Sequence, residues 1–313
     1  MLTISIILLG ENDSYMITSA VSLYEVWKDF ILPILIAFSA GYMVYWAFVK
    51  ETKRDKQKEL EAGNQLQRDK LYYFSNSVKT ILAISRDQNA ATLAFVEAQL
   101  KDPNEIQEIT LFSLNELKRM TQDLQLESYM LAYVNHYGSD RKKAIKQFNN
   151  IVIRIDMLYE TFKHIEHHHN MAQDFDQRYK VNLYNYHYRA ANLIAVLSLS
   201  LRKSAPFLAV ELDRIMAVFY SSPTENKDIE SYYRYFFVPF NQFAAKHVGV
   251  DLSEVLQIQE LAILTRDGKA TYDQLIRENR RVAEDFKKQY DRLKTEIEQL
   301  NEHAKQLLED FEV

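Results

Sequence analysis

Hydrophobic positions along the chain fall into three patterns. The first is an unbroken run from Phe30 to Val49, FILPILIAFSAGYMVYWAFV, which carries no charge. It supplies the ~20 residues that a helix needs to cross hydrocarbon. The second pattern repeats every three to four residues. Leu60, Leu71, Phe74, Val78, Ile81 and Leu82 follow it and predict a stalk helix over 50–86, with Gly63 a soft point within it. Similar spacing predicts further helices over 89–101, 105–137, 139–171, 174–203, 206–220, 229–247 and 251–266. The third pattern is a heptad that begins after Gly268. Its a positions are Ile276, Ala283, Tyr290, Ile297, Ala304 and Phe311, and its d positions are Tyr272, Asn279, Phe286, Leu293, Leu300 and Leu307. All but Asn279 are apolar, which is how a coiled-coil seam reads.

Boundary residues sharpen these segments. Pro103 stops a helix, Gly138 offers a left-handed stop, and Ser139 and Asp140 offer an N-cap. The polar run SSPTENKD over 221–228 is the clearest linker, and Pro239 predicts a kink. Asp251 and Glu254 match a capping box. No run alternates with the period of a strand. The prediction is an all-α chain in five parts. These are a short extracytoplasmic tail over 1–29, a single transmembrane helix over 30–49 and the stalk over 50–86. A multi-helix cytoplasmic bundle over 87–268 and a long, coiled-coil-like C-terminal helix over 269–313 complete it.

The flanks of the apolar run orient it. Trp27 and Trp46, the only tryptophans, bracket the span as interface anchors. The stretch KETKRDKQK over 50–58 is rich in Lys and Arg, whereas residues 1–29 contain Lys28 as their only base. The positive-inside rule therefore places the N-terminus outside and the bulk of the chain in the cytoplasm, held in the inner or plasma membrane. The apolar stretch Leu2–Leu9 lacks the basic start and small-residue cleavage pattern of a signal peptide. Ala37 and Gly41 form a small-xxx-small pair, the spacing at which two spans approach closely. No ionisable residue lies within the span, so one copy forms no ion path.

Composition narrows the chemistry. Six glycines and no cysteine leave no phosphate loop, dinucleotide turn, nucleophile elbow, zinc–thiolate site or disulfide. The net charge of −5 gives no basic field to attract nucleic acid. One cluster stands out, HIEHHH, with His164, His167 and His168 spaced three and four apart on one helix face. A divalent metal at His164 and His168 is the cofactor such spacing suits, although a ligand from elsewhere, His187 or Glu160, has to complete it. Titration near neutral pH is the second use of such a cluster. Tyr179, Tyr184, Tyr186, Tyr188 and the run YYRYFF over 232–237 predict core packing, with a nucleotide-stacking surface around Arg189 and Arg234 as the lesser reading. Arg154 and Asp156 interrupt an apolar run and each requires a partner on a neighbouring helix.

Two association-prone elements beside this absence of catalytic motifs predict a membrane-tethered interaction, scaffold or sensor protein. Its partners are the lipid bilayer and a second copy or another helical protein. Two alternatives follow from the same features. One is an oligomerising effector that perturbs the bilayer; this layout resembles that of membrane-anchored accessory proteins in phage defence, in organisation and in no motif. The other is a metal-dependent enzyme built on His164–His169.

Overall fold

A computed structural model describes residues 6–7, 16–17, 24, 27–222, 228–249 and 253–311. The chain divides into two units, Met1–Lys70 and Leu71–Val313. Almost all described residues are helical. The helices are α1 (Leu32–Lys101), α2 (Asn115–Lys118), α3 (Leu126–Tyr137), α4 (Arg141–Ser204), α5 (Pro206–Ser221), α6 (Ile229–Ser231), α7 (Val238–His247) and α8 (Val255–Asp310). Wider π-helical turns occupy Trp27–Ile31, Arg119–Asp123 and Tyr232–Phe237. The one extended pairing among the described residues sets Ile6–Ile7 antiparallel to Met16–Ile17. The all-α prediction therefore holds, apart from that two-residue contact.

The first unit is built around one apolar helix that buries nothing of itself. From Phe30 to Phe48 every side chain is exposed. By length and composition this helix is a candidate membrane span. Pro33 falls in the first turn of α1, where its missing N–H costs least. Beyond the apolar run, residues 50–70 contain no buried side chain and continue the same helix. Local pairs one turn apart support it, such as Gln57 donating to Glu61 at 3.0 Å and Gln65 to Asp69 at 2.8 Å. Gly63 does not interrupt it.

In the second unit, Leu71, Phe74, Val78, Ile81 and Leu82 form the buried stripe of α1. They join Phe148, Ile151, Ile155, Leu158 and Ile165 of α4 and Phe286, Leu293, Ile297, Leu300 and Leu307 of α8 in a first core. A second core gathers Ile194, Leu197 and Leu201 of α4, Leu208 and Leu212 of α5, Phe236 and Phe240, and Ile258 and Leu261 of α8. Helices α4 and α8 run antiparallel through both. Gln147 donates to the His303 carbonyl, Arg154 to Glu296, Asn279 to Asp176, and Ser200 to Glu254. As the contacts descend α8 they climb α4 at nearly one residue per residue, over roughly 75 Å at 1.5 Å per residue.

Several predicted boundaries are absent. There is no break at 86–89, because α1 continues to Lys101. There is none at 171–174 either. The buried face of α4 passes through Ile165, His169, Ala172 and Asp176 without missing a turn. Asp140 does cap α4, accepting from the backbone N–H of Lys142 and Lys143. Gly268 is not a stop but an interior residue of α8. A Cβ there would collide with the Phe237 ring, so glycine serves close approach and not chain reversal. The kink expected at Pro239 is expressed as the π-helical turn just before it. The linker core at 223–227 and Asp251 of the expected capping box lie outside the described residues.

The largest departure is at 105–137, predicted as one helix. Residues 102–114 are not helical: a turn over 103–105 leads into a strap over 106–114, and helix resumes only at Asn115. Two buried glutamines of α1 hold the strap. Gln99 donates to the Glu105 carbonyl at 3.0 Å and accepts from the Gln107 N–H at 2.9 Å. Gln88 donates to the Thr110 carbonyl at 3.3 Å and accepts from the Phe112 N–H at 2.9 Å. Each amide thus replaces the partner strand that an extended backbone lacks. The spacing matches: from Gln88 to Gln99 a helix rises ~16 Å, and five extended residues cover ~16 Å.

Gln88→Leu or Gln99→Leu should lower stability by about 1–3 kcal/mol, because buried strap groups lose their partners. Hydrogen exchange should rise at 105–112 in either variant while the protection of α8 is retained. Gly268→Ala should destabilise the bundle by about 1–3 kcal/mol through overpacking against Phe237, read as a fall in the thermal midpoint. Gly63→Ala should leave that midpoint where it is.

Candidate functional site

The two cores are separated by a polar waist. Asp176 of α4 and Asn279 of α8 are both buried there. Asn279 donates to Asp176 at 3.0 Å and to the Pro103 carbonyl at 3.0 Å. Lys180 lies 2.6 Å from the other Asp176 oxygen. The buried carboxylate is therefore both paired and hydrogen-bonded, the condition under which a buried charge is tolerated. Tyr272 donates to Asn104 at 2.9 Å, and Gln274 to the Tyr179 hydroxyl at 2.9 Å. Tyr233 stacks on Tyr272 with ring centres 4.2 Å apart. The start of the strap, α4 and α8 thus meet at one hydrogen-bonded layer. Asn279, a d position of the heptad, serves this layer.

The predicted histidine cluster lies just beside it on α4. The rings of His164 and His168 are 4.0 Å apart, edge to face, and His167 lies 6.4 Å from His168. His168 also borders a groove of about 130 Å³ with Met171, Phe175, Glu278, Arg281 and Asp285. Among the described residues no three His, Asp or Glu groups converge as metal ligands. At the expected metal site, His164 and His168 lie within reach of one another, and no third described side chain joins them. Two imidazoles fall one short of the three protein ligands of a catalytic zinc site. The wheel explains this: His167 leaves the His164–His168 line by most of a quarter turn. His187, offered as a completing ligand, is packed instead among Phe219, Tyr232 and Phe236.

His169 is the buried member of the run. Its ring meets Phe95 and Phe286 edge-on. Burial holds its pKa below the ordinary histidine range, against a weaker opposing pull from Glu108. Burial, and next the neighbouring His164, lower that of His168 as well.

The remaining predicted residues divide between the two units. Trp27 and Trp46 are exposed, and the Lys50 ammonium lies 5.0 Å from the Trp46 ring centre. Ala37 and Gly41 lie on one exposed face with Phe38, Tyr42 and Tyr45. In the bundle, Phe286, Leu293, Ile297, Leu300 and Leu307 are buried within the first core, whereas Ile276 and Tyr290 are half-buried at its margin. The seam is filled by the chain's own α1, α3 and α4. A coiled coil between copies would have to displace them. Arg154 has its partner, Glu296, at 3.0 Å; Asp156 is exposed and shows none among the described residues. Arg189 and Arg234 bridge to Glu260 and Glu230.

At the far end of α4, a carboxylate collects hydroxyls. Glu254 accepts from Ser200 at 2.5 Å, Ser204 at 2.9 Å and Ser253 at 2.6 Å. These bonds, Ser200 first, pull its pKa down to about 2. They outweigh desolvation because little protein lies beyond this end. Nearby, Ser198 and Arg202 donate to Asp213 of α5 at 2.7 and 2.9 Å. Around these ties the surface is apolar: Val196, Leu199, Phe207, Val210, Leu256 and Ile263 are each at least half exposed. Val196 lies one turn from Ser200, and Val210 one turn from Asp213, so the face spans α4, α5 and α8. Sequence reasoning missed it because these residues fit a core pattern as well as a surface one.

No family model, curated protein or solved structure matches the chain. The functional reading therefore rests on the geometry alone.

Acidification gives a check on His169. Its native pKa is depressed, so below the unfolded value of about 6.5 the unfolded chain takes up the proton first. Stability should be constant above that pH and fall as pH drops toward the native value. Chemical denaturation of His169→Phe across pH 7.5 to 5 should show a shallower loss than the parent, the residual slope belonging partly to His168.

Proposed function

We propose that the chain is a membrane-tethered helical interaction module that self-associates through the face shared by α4, α5 and α8. One observation carries the reading: that face is left uncovered while the heptad seam is consumed inside the bundle. Val196, Leu199, Phe207, Val210, Leu256 and Ile263 are each at least half exposed, and large apolar side chains gathered on neighbouring helices mark interaction surfaces. Arg202, Lys203 and Arg214 alternate there with Asp213 and Glu260, a mixture that suits a face meeting itself.

Membrane tethering is the second part of the proposal. The exposed apolar helix over Phe30–Phe48, the flanking tryptophans and the basic stretch at 50–58 support an N-out, single-pass anchor. Copies held in one membrane share an orientation. A face that meets its own equivalent on a second copy then does so across a two-fold axis normal to the bilayer. Close approach of spans at Ala37 and Gly41 would act in the same sense. The bundle brings no nucleophile, base and orienting group together among its described residues, and no catalytic role is assigned.

Mass photometry of the full chain in detergent and nanodiscs tests this. A dimer or higher oligomer is expected, and Leu199→Glu with Leu256→Glu should shift it to monomer without lowering the thermal midpoint. A monomeric parent at micromolar concentration, or an oligomer unmoved by the double variant, refutes the proposal.

A further inference from the structure

A second site lies on the opposite part of the bundle, where α1 and α8 pass antiparallel at the edge of the first core. They leave a groove of about 530 Å³, within the ~300–1,000 Å³ of small-molecule sites. Lys79, Leu82 and Arg86 of α1 face Asn301, Lys305 and Leu308 of α8. The intervals of three and four residues put each trio on one helix face. Leu82 and Leu308 form an apolar floor, and the cations and the amide form the walls.

The charges of this groove do not balance. Lys79 donates to the Phe311 carbonyl at 3.1 Å and meets no carboxylate within 4 Å among the described residues. Arg86 makes no ion pair among the described residues. Lys305 has Glu309 at 3.8 Å, an exposed contact that contributes little. Among the described residues lining the groove, three cations therefore face one carboxylate, in a protein whose net charge is −5. Other exposed arginines of the bundle have a carboxylate at hand, as Arg202 has Asp213 and Arg234 has Glu230.

We infer that this groove binds a small phosphate-bearing molecule with an apolar body, a nucleoside phosphate being the type. A phosphate takes the planar fork of Arg86 in a two-point contact, with Lys79 and Lys305 as point charges on its remaining oxygens. Asn301 offers both a donor and an acceptor to a polar edge of the ligand. The leucine floor takes the apolar body. Asp87, Glu298 and Glu302 flank the groove along the two helices and repel an extended polyanion, so a short ligand fits where a nucleic acid does not.

The test uses the full chain in nanodiscs of neutral lipid, titrated calorimetrically with ATP and, separately, with soluble inositol trisphosphate. Saturable binding of one molecule per chain is expected, weakening as salt is raised. Arg86→Ala should weaken it roughly tenfold, since a charge-assisted contact contributes about that factor. Arg86→Lys should recover part of the loss. Arg86 is exposed, so the thermal midpoint of either variant should match the parent and exclude misfolding. Preference for ATP assigns the site to a soluble nucleotide, and preference for inositol trisphosphate to a lipid headgroup, the phosphate chemistry being common to both. Absence of saturable binding of either probe up to ~1 mM, or affinity indifferent to Arg86→Ala, overturns the inference.

Discussion

The antiparallel pairing of α4 with α8 is the constraint on which the bundle depends. Neither helix is a stable object alone, since each owes most of its helicity to burying one stripe. Paired, they offer a common trough to α1 and α3 at one end and to α5 and α7 at the other. Everything else is placed relative to that trough. Its register is not left to leucines, which tolerate sliding by a turn. Asn279 with Asp176, Arg154 with Glu296 and Ser200 with Glu254 are spaced along it, and each is satisfied in one alignment only.

The polar waist divides this pairing without breaking either helix. Buried polar groups that are fully satisfied specify an arrangement more sharply than they stabilise it. The first core is aliphatic and aromatic in an α-helical bundle. The second is built around Phe219, Phe236, Phe237, Phe240 and Phe243 with a π-helical turn. Phe237 against Gly268 shows how tightly that second core is closed. The separation gives each core its own composition while one pair of helices keeps them in step.

Much of the fold was legible in the sequence, and its failures share a cause. Asp140 as a cap, Pro206 as a helix start and the buried positions of α8 were readable because they depend on local geometry. What α8 packs against was not: a heptad shows one side of an interface and is silent on whose surface fills the other. A boundary was expected between 266 and the heptad after Gly268, because the ring that demands this glycine is thirty-one residues away. Beyond Pro103 the strap carries helix-compatible residues, and Gln88 and Gln99 hold its backbone out of a helix. Those glutamines were the available signal, being polar at positions where the stripe of α1 calls for apolar ones. Of the candidate residues, the histidines were conspicuous as a run, while the buried His169 was inconspicuous within it. The exposed apolar face and the basic groove draw on several helices each, and no single segment announces them.

The two glutamines carry a consequence for how this chain tolerates change. A helix and an extended segment advance at different rates, and here two fixed points on one are tied to two fixed points on the other. Between the ties, residue identity is free at the exposed positions, because the backbone groups bonded are the same for any side chain, while Thr92, Phe95 and Val96 are held by the core. Residue count is not free. Dropping one residue between Gln88 and Gln99 would rotate one amide about 100° off the face that meets the strap, whereas substituting several would leave both in place. Across related chains the exposed positions of this region should therefore diverge while its length is kept, whereas an ordinary surface loop varies in length as well.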